Sequence, residues 1–303
     1  MSDIQDIRVV YILPVFNGQY RITPTLKSLV AQDVDYWHCI IVDDGSDDAT
    51  ARKVQGFIDQ YPDHFTLIHN EENLGVAKSL NRGIDACQKI FPDVQFYARI
   101  DAGDRCYPHR TRVQYEAMVD DPDLAVLGMD IRVCIPKGRG YEVTISNSPA
   151  SFEEVLTSMC FSNPIAHPSV MMRANIVNKF RYREDALGTE DFDLWTRIAV
   201  SGVGRVENLA DVGVDYVISQ NSETHRHVGT PQWERVWVDI VTRMFSYFGI
   251  DDINPKRLVY YLNGLDTSIT NQAYAQYCYQ RLIEQDASYG VIPQIAYRRF
   301  YHV

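Results

Sequence analysis

Five short runs of β-branched, aromatic and aliphatic residues, at 9–15, 39–42, 65–69, 95–100 and 124–129, punctuate the first half of the chain. Between the first four lie segments of helical length, 23–32, 48–60 and 76–87, with apolar residues at helical spacing. Parallel neighbours cannot be joined by a tight hairpin; they need a crossover that returns to the same end of the sheet, usually a helix. The alternation therefore predicts an α/β chain with a largely parallel central sheet and flanking helices. Asp47 and Asp48 are the N-cap candidates for the second helix, because a short carboxylate can accept from the free N–H groups of a first turn.

Such sheets bind ligands beyond the carboxyl ends of their strands, which gives polar residues there functional weight. Asp43 and Asp44 end the second run; Asp101 and Asp104 follow the fourth. Asp43-Asp44-Gly45-Ser46 is equally a good turn sequence, since Asp and Gly both favour turns, so this run alone does not decide between the two.

Bulk properties exclude several classes. With 303 residues, 46% of them hydrophobic, the chain can bury a sizeable core. A formal charge of -11 argues against a nucleic-acid partner, which calls for a basic face. Cys39, Cys87, Cys106, Cys134, Cys160 and Cys278 lack the spacing of a zinc site or disulfide framework and read as reduced core thiols. The acidic start and a first apolar run too short to span a bilayer imply a cytoplasmic location.

Beyond residue 149 the pattern changes to a helix at 152–159, a strand at 169–172, a helix at 190–200 and a late strand at 214–218. No repeat or low-complexity linker interrupts the chain, so residues 1–230 are expected to form one domain and 231–303 a helical C-terminal region. Trp233, Val236, Trp237, Ile240, Val241, Met244 and Phe248 share one helical face. Packing against the main domain is its leading reading; a homo-oligomer interface and membrane-surface contact are the alternatives, although the opposite face lacks Lys/Arg enrichment. The basic and aromatic run 297–301 reads as a solvated terminus.

Six blocks stand in order: Ile12-Leu13-Pro14-Val15-Phe16-Asn17, Ile41-Val42-Asp43-Asp44-Gly45-Ser46, residues 73–83, Ala98-Arg99-Ile100-Asp101-Ala102-Gly103-Asp104, residues 163–169 and Thr189-Glu190-Asp191-Phe192-Asp193-Leu194-Trp195. Together they resemble the family 2 glycosyltransferases over about residues 7–220. The resemblance implies the GT-A nucleotide-diphospho-sugar transferase fold. It implies an inverting enzyme that moves a sugar from a UDP or dTDP donor to a hydroxyl of a saccharide or lipid-linked acceptor. Surface polysaccharide or glycan synthesis is the setting that this suggests, in the cytoplasm or at the inner face of the membrane. A non-catalytic nucleotide-sugar-binding module and a nucleotidyltransferase are the rival readings; for the second, no glycine-rich phosphate loop follows the first strand.

The same resemblance assigns candidate roles. Asp191 matches the catalytic base and Glu190 lies beside it on the acceptor side, as does His167. Asp44 matches the acceptor of the uracil or thymine N3–H, with Asp43 nearer the ribose or the backbone and Pro14, Phe16 and Asn17 bordering the pocket. Independently of the resemblance, Arg82 and Arg99 are the cations whose charge suits them to a diphosphate in an otherwise acidic chain, whereas Lys78 and Arg110 read as surface charge. Family members commonly carry Asp-x-Asp after the fourth strand, the second Asp holding a divalent ion on the diphosphate. Aligned on Pro108, Asp101 takes the first place and Gly103 the second. A metal cofactor, Mg²⁺ or Mn²⁺, is thereby left undecided, with Asp101 and Asp104 the carboxylates available to it if glycine reroutes the loop. Ser219, Gln220 and Asn221 stand where relatives place a metal-proximal histidine; His225 and His227 follow.

Overall fold

The computed structural model describes residues 6–138, 140–218 and 227–285. Strand β1 (Val9–Val15) lies between β2 (Trp37–Asp43) and β4 (Phe96–Arg99), both parallel to it, and β3 (Phe65–His69) extends the sheet beyond β2. The crossovers are α1 (Ile22–Val30), α2 (Thr50–Gln60) and α3 (Val76–Ile90). Alternate residues of β1 enter two cores: Val10 and Ile12 pack on one face of the sheet, Val9, Tyr11 and Leu13 on the other. Burial on both faces explains why these strands read as unbroken apolar runs.

The second half of the sheet mixes directions. After β5 (Arg105–Cys106) and α4 (Arg110–Asp120), the expected strand at 124–129 becomes β6 (Leu124–Lys137). Its first half is buried against neighbours, and its second half forms an exposed hairpin with β7 (Gly140–Ile145). Helix α5 (Phe152–Met159) opens with a capping box between Ser151 and Glu154. Instead of a strand at 169–172, a 3₁₀ turn over His167–Ser169, with Pro168 in its first turn, precedes β8 (Met171–Arg173), antiparallel to β4 and β6. Next come α6 (Ala174–Phe180), α7 (Glu190–Ser201) and β9 (Arg205–Val217), which runs parallel to β6 through several register shifts and antiparallel to β5. Those bulges broke the alternation from which only residues 214–218 were expected as strand. The order is β3-β2-β1-β4-β8-β6-β9-β5, with β7 on β6.

At α2 the cap position falls on Ala49, which makes no side-chain cap bond. Asp48, one residue earlier, still supplies the acceptor, taking the Thr50 N–H at 2.8 Å on Oδ1.

The C-terminal helices are α8 (Pro231–Tyr247), α9 (Pro255–Leu262) and α10 (Ile269–Gln285). Six members of the apolar stripe on α8, Trp233, Val236, Trp237, Ile240, Val241 and Met244, are buried in the same core as Phe192 and Trp195 of α7. Phe192 and Trp237 meet edge to face with ring centroids 5.1 Å apart. No described helix is long and apolar enough to cross a membrane. The run 297–301 lies outside the described residues.

Candidate active site

Register places the working ends of the strands together. Val15 of β1 pairs with Asp43 of β2, and Asp43 with His69 of β3, so the loops after these strands emerge at one edge. Asn17 sits in the left-handed region at φ 47°, which its short polar side chain tolerates. Its amide donates to Ser46 Oγ at 2.9 Å and its Oδ1 accepts from Asp47 N–H at 3.1 Å, tying the first loop to the second. A cleft of about 360 Å³ opens here, walled by Pro14 and Phe16, Asp44, the 73–77 turn, Asp101 and Glu190.

Asp44 is 4% exposed and its carboxylate is held from three sides. Oδ1 accepts from Asn70 Nδ2 at 2.7 Å and Leu74 N–H at 2.9 Å, and Oδ2 accepts from Gly75 N–H at 2.9 Å. A carboxylate offers about four lone-pair directions, so one on Oδ2 is left for a ligand. Gly75, at φ 87°, makes this backbone approach without strain. Asp43 faces away from the cleft. It is fully buried, accepting from Ser46 N–H at 3.1 Å and meeting His69 Nδ1 at 3.1 Å. Its part is to shape the turn, on the backbone side of the two positions expected for it.

Arg99 does not point into the cleft as a free cation. It is 1% exposed and forms a hub beneath the floor. Nη1 donates to the carbonyls of Ile12 at 2.7 Å and Ile100 at 2.9 Å, and Nη2 donates to Asp101 Oδ1 at 2.6 Å. Nε donates to His167 Nε2 at 3.1 Å, and the Tyr182 hydroxyl lies 2.9 Å from the same nitrogen. Burial and the Arg99 charge hold the His167 pKa well below the usual histidine range. Arg82 is exposed on α3 and absent from the cleft wall, as is Lys78. Arg110, expected at the surface, is instead fully buried, bonding the carbonyls of Arg99 at 2.8 Å and Val170 at 3.1 Å.

Gly103 adopts φ 121°, a conformation that favours glycine, and the rerouted loop carries Asp104 inward rather than into the cleft. Asp104 Oδ1 accepts from Val217 N–H at 2.9 Å, while Oδ2 is buried with no partner among the described residues. Burial and the neighbouring Asp101 charge raise this carboxyl well above the usual range, which favours the neutral acid. Among the described residues no three His, Cys, Asp or Glu side chains come together as a metal set. Asp101 is the carboxylate of the pair that lines the cleft, with 40% of its side chain exposed. His227 also borders the cleft; Ser219, Gln220, Asn221 and His225 lie outside the described residues.

Helix α7 begins at the cleft with Glu190 in the wall and Asp191 next to it, outside the lining. Glu190 is 9% exposed, and burial together with the Asp191 charge pushes its carboxyl up to about 8. Asp191 is half-buried beside it, and burial raises its pKa to about 6. Two donors offset part of that shift: its own-turn Phe192 N–H at 2.7 Å to Oδ1 and Asn163 Nδ2 at 2.9 Å to Oδ2. Sequence reasoning placed Asn163 in a recognisable block without a role. It missed Tyr182 altogether, since one tyrosine among 19 carries no local signal. The loop holding Tyr182 is pinned to α3 by Asn81, whose Oδ1 accepts from Tyr182 N–H at 3.1 Å and whose Nδ2 donates to its carbonyl at 2.9 Å.

The sequence profile of Glycosyl transferase family 2 matches residues 11–179, more than half of the chain. An uncharacterized glycosyltransferase of Haemophilus influenzae is 24% identical over 250 residues, covering 79% of this chain and 75% of its own. The O-antigen biosynthesis glycosyltransferase WbnJ of Escherichia coli is 25% identical over 200 residues, 65% of this chain and 74% of its own. Among solved structures, S. aureus TarS 1-349 in complex with UDP-GlcNAc superposes with a TM-score of 0.62 at 18% identity, over 95% of this chain and 82% of that one. At that identity the likeness shows the fold, the GT-A arrangement.

Proposed function

The chain belongs to glycosyl transferase family 2 and is a glycosyltransferase, and from that premise we propose that it transfers a sugar from a UDP or dTDP donor to an acceptor hydroxyl, with inversion and with Asp191 as base. The observation that carries this reading is one cleft walled by the N–H-lined carboxylate of Asp44 and by Glu190, the first residue of α7, beside which stands the half-buried carboxylate of Asp191 with its pKa raised to about 6. A base works best when its pKa lies near the operating pH: it is then ionised yet still takes up a proton readily. In a single displacement the acceptor oxygen bonds to the anomeric carbon as the bond to the nucleotide diphosphate breaks. The hydroxyl proton passes to Asp191, and the bond electrons leave with the diphosphate.

The free direction on Asp44 Oδ2 suits the N3–H of uracil or thymine, and the UDP-GlcNAc bound to TarS supports a uridine donor. Glu190, its carboxyl pushed up to about 8 by burial and the Asp191 charge, is suited in its neutral form to donate a hydrogen bond to a sugar hydroxyl. An oxygen-rich polymer or lipid-linked saccharide is the proposed acceptor class, in keeping with the O-antigen role in the name of the WbnJ relative. A divalent ion would be held by Asp101 and the donor phosphates, and would supply charge neutralisation at the leaving diphosphate. With so few protein ligands, activity is expected to need a higher Mn²⁺ concentration than a three-ligand site demands; restoration of EDTA-treated enzyme by trace Mn²⁺ argues against this ligand set.

The decisive experiment supplies a panel of UDP-, dTDP- and GDP-sugars with saccharide acceptors and reads the product anomer by NMR. Inverted product from a uridine or thymidine donor is expected. Retention at the anomeric carbon, or use of GDP-sugars alone, overturns the reading.

A further inference from the structure

An arginine N–H and a tyrosine hydroxyl converge on one imidazole nitrogen beneath the cleft. The guanidinium of Arg99 carries only donors, so His167 Nε2, 3.1 Å from Arg99 Nε, must be an unprotonated acceptor with the ring proton on Nδ1. The Tyr182 hydroxyl lies 2.9 Å from the same nitrogen and 3.8 Å from Met172 Sδ, so its one proton is shared between these two acceptors while Arg99 takes the principal share of the Nε2 lone pair. The ring is held from the side by Trp195, edge to face at a centroid distance of 5.8 Å. The Tyr182 backbone in turn is fixed by the side-chain amide of Asn81.

We propose that His167 is a positioning residue, whose Nε2 lone pair orients the buried Arg99 guanidinium so that Arg99 presents Asp101 to the bound donor. The chain of contacts supports a directional role. Arg99 is anchored through Nη1 to two backbone carbonyls, and its Nη2 holds Asp101 Oδ1 at 2.6 Å. Those bonds alone leave Nε–H without a partner in a 1% exposed site, and His167 supplies it. An unmet buried donor costs enough to turn the guanidinium toward another acceptor, and Asp101 would turn with it. Because Asp101 is 40% exposed at the cleft, it has room to follow. His167 is absent from the cleft wall, which favours action through Arg99.

This inference rests on the donor reading above, and the test separates the two. UDP is titrated calorimetrically, with Mn²⁺ present, into wild type, His167→Leu, His167→Gln, Asp101→Asn and the His167→Leu/Asp101→Asn double variant, all checked for unchanged Tm. Wild type that fails to bind UDP sinks the donor reading, not the positioning role. Given wild-type binding, His167→Leu is expected to weaken UDP by about tenfold or more, the scale of one lost charge-assisted bond. His167→Gln, whose amide oxygen can accept from Arg99 Nε, is expected to stay within about threefold of wild type. In the Asp101→Asn background the leucine substitution should add little, because its effect runs through Asp101. Full additivity of the two losses, or equal losses in the glutamine and leucine variants, overturns the proposal.

Discussion

Asp191 and Asp193 stand two residues apart in the first turns of α7, yet the fold treats them as opposites. Asp191 is half-buried beside Glu190 of the cleft wall, with one side-chain donor, Asn163, and a pKa raised to about 6. Asp193 is fully buried on the other side of the helix among three arginines: Arg197 Nε at 2.7 Å, Arg243 Nη2 at 3.2 Å and Arg183 Nη1 at 3.4 Å. Arg243 belongs to α8 and also donates to Thr196 Oγ1 at 2.6 Å, so Asp193 fastens α8 to α7. The difference teaches that a carboxylate useful for proton transfer is one the protein leaves under-compensated. A carboxylate surrounded by cations holds structure together instead.

The contrast breaks most readily at Asp191. Asp191→Asn is expected to lower turnover by about 10²- to 10⁴-fold, the usual worth of a general base, with UDP affinity and Tm near wild type. Near-normal turnover in a quenched transfer assay would remove Asp191 from the role. Asp193→Asn should show the reverse pattern. Leaving three arginines around an uncharged buried site is expected to lower unfolding free energy by about 3–5 kcal/mol in urea titration. A variant as stable as wild type would mean that the arginines find other partners.

Asp44 sharpens the comparison, since it is buried like Asp193 but held by N–H groups rather than cations, with one direction left open. Asp44→Ala should weaken UDP binding by about 1.5–3 kcal/mol, and calorimetry that finds equal affinity would reassign the base pocket. The smallest effect is in pH. Protonation of Asp191 removes the base, so kcat/KM is expected to fall on the acid side, about tenfold per unit below pH about 6. The Asn163 hydrogen bond favours the charged form, so Asn163→Ala should raise the pKa and move this acid limb to higher pH. A limb that stays in place would show that Asn163 does not tune the base.

Much of the architecture was legible locally. The first strands and their helices could be read from apolar runs and helical spacing because a strand buried on both faces and an amphipathic helix each leave a period in the sequence. Six ordered blocks were enough to indicate the family, and strand-end positions such as Asp44 and Asp101 could be marked from the rule that ligands meet the carboxyl edge. The hairpin half of β6 and the bulged β9 were not legible, since neither keeps one period along its length.

What only the tertiary structure decided was the company each polar group keeps. Charge type alone assigned both Arg99 and Arg82 to a diphosphate, but one is a buried hub and the other an exposed helix residue. Asp104 looked like a neighbour of Asp101 and instead turns under β9. Tyr182 comes to His167 and Arg243 to Asp193 from 15 and 50 positions away along the chain. A residue's type determines which bonds and protons it can offer, and that is written in the sequence. Whether it is desolvated, paired or left with a free lone pair depends on groups brought together by chain crossovers, which no local pattern encodes.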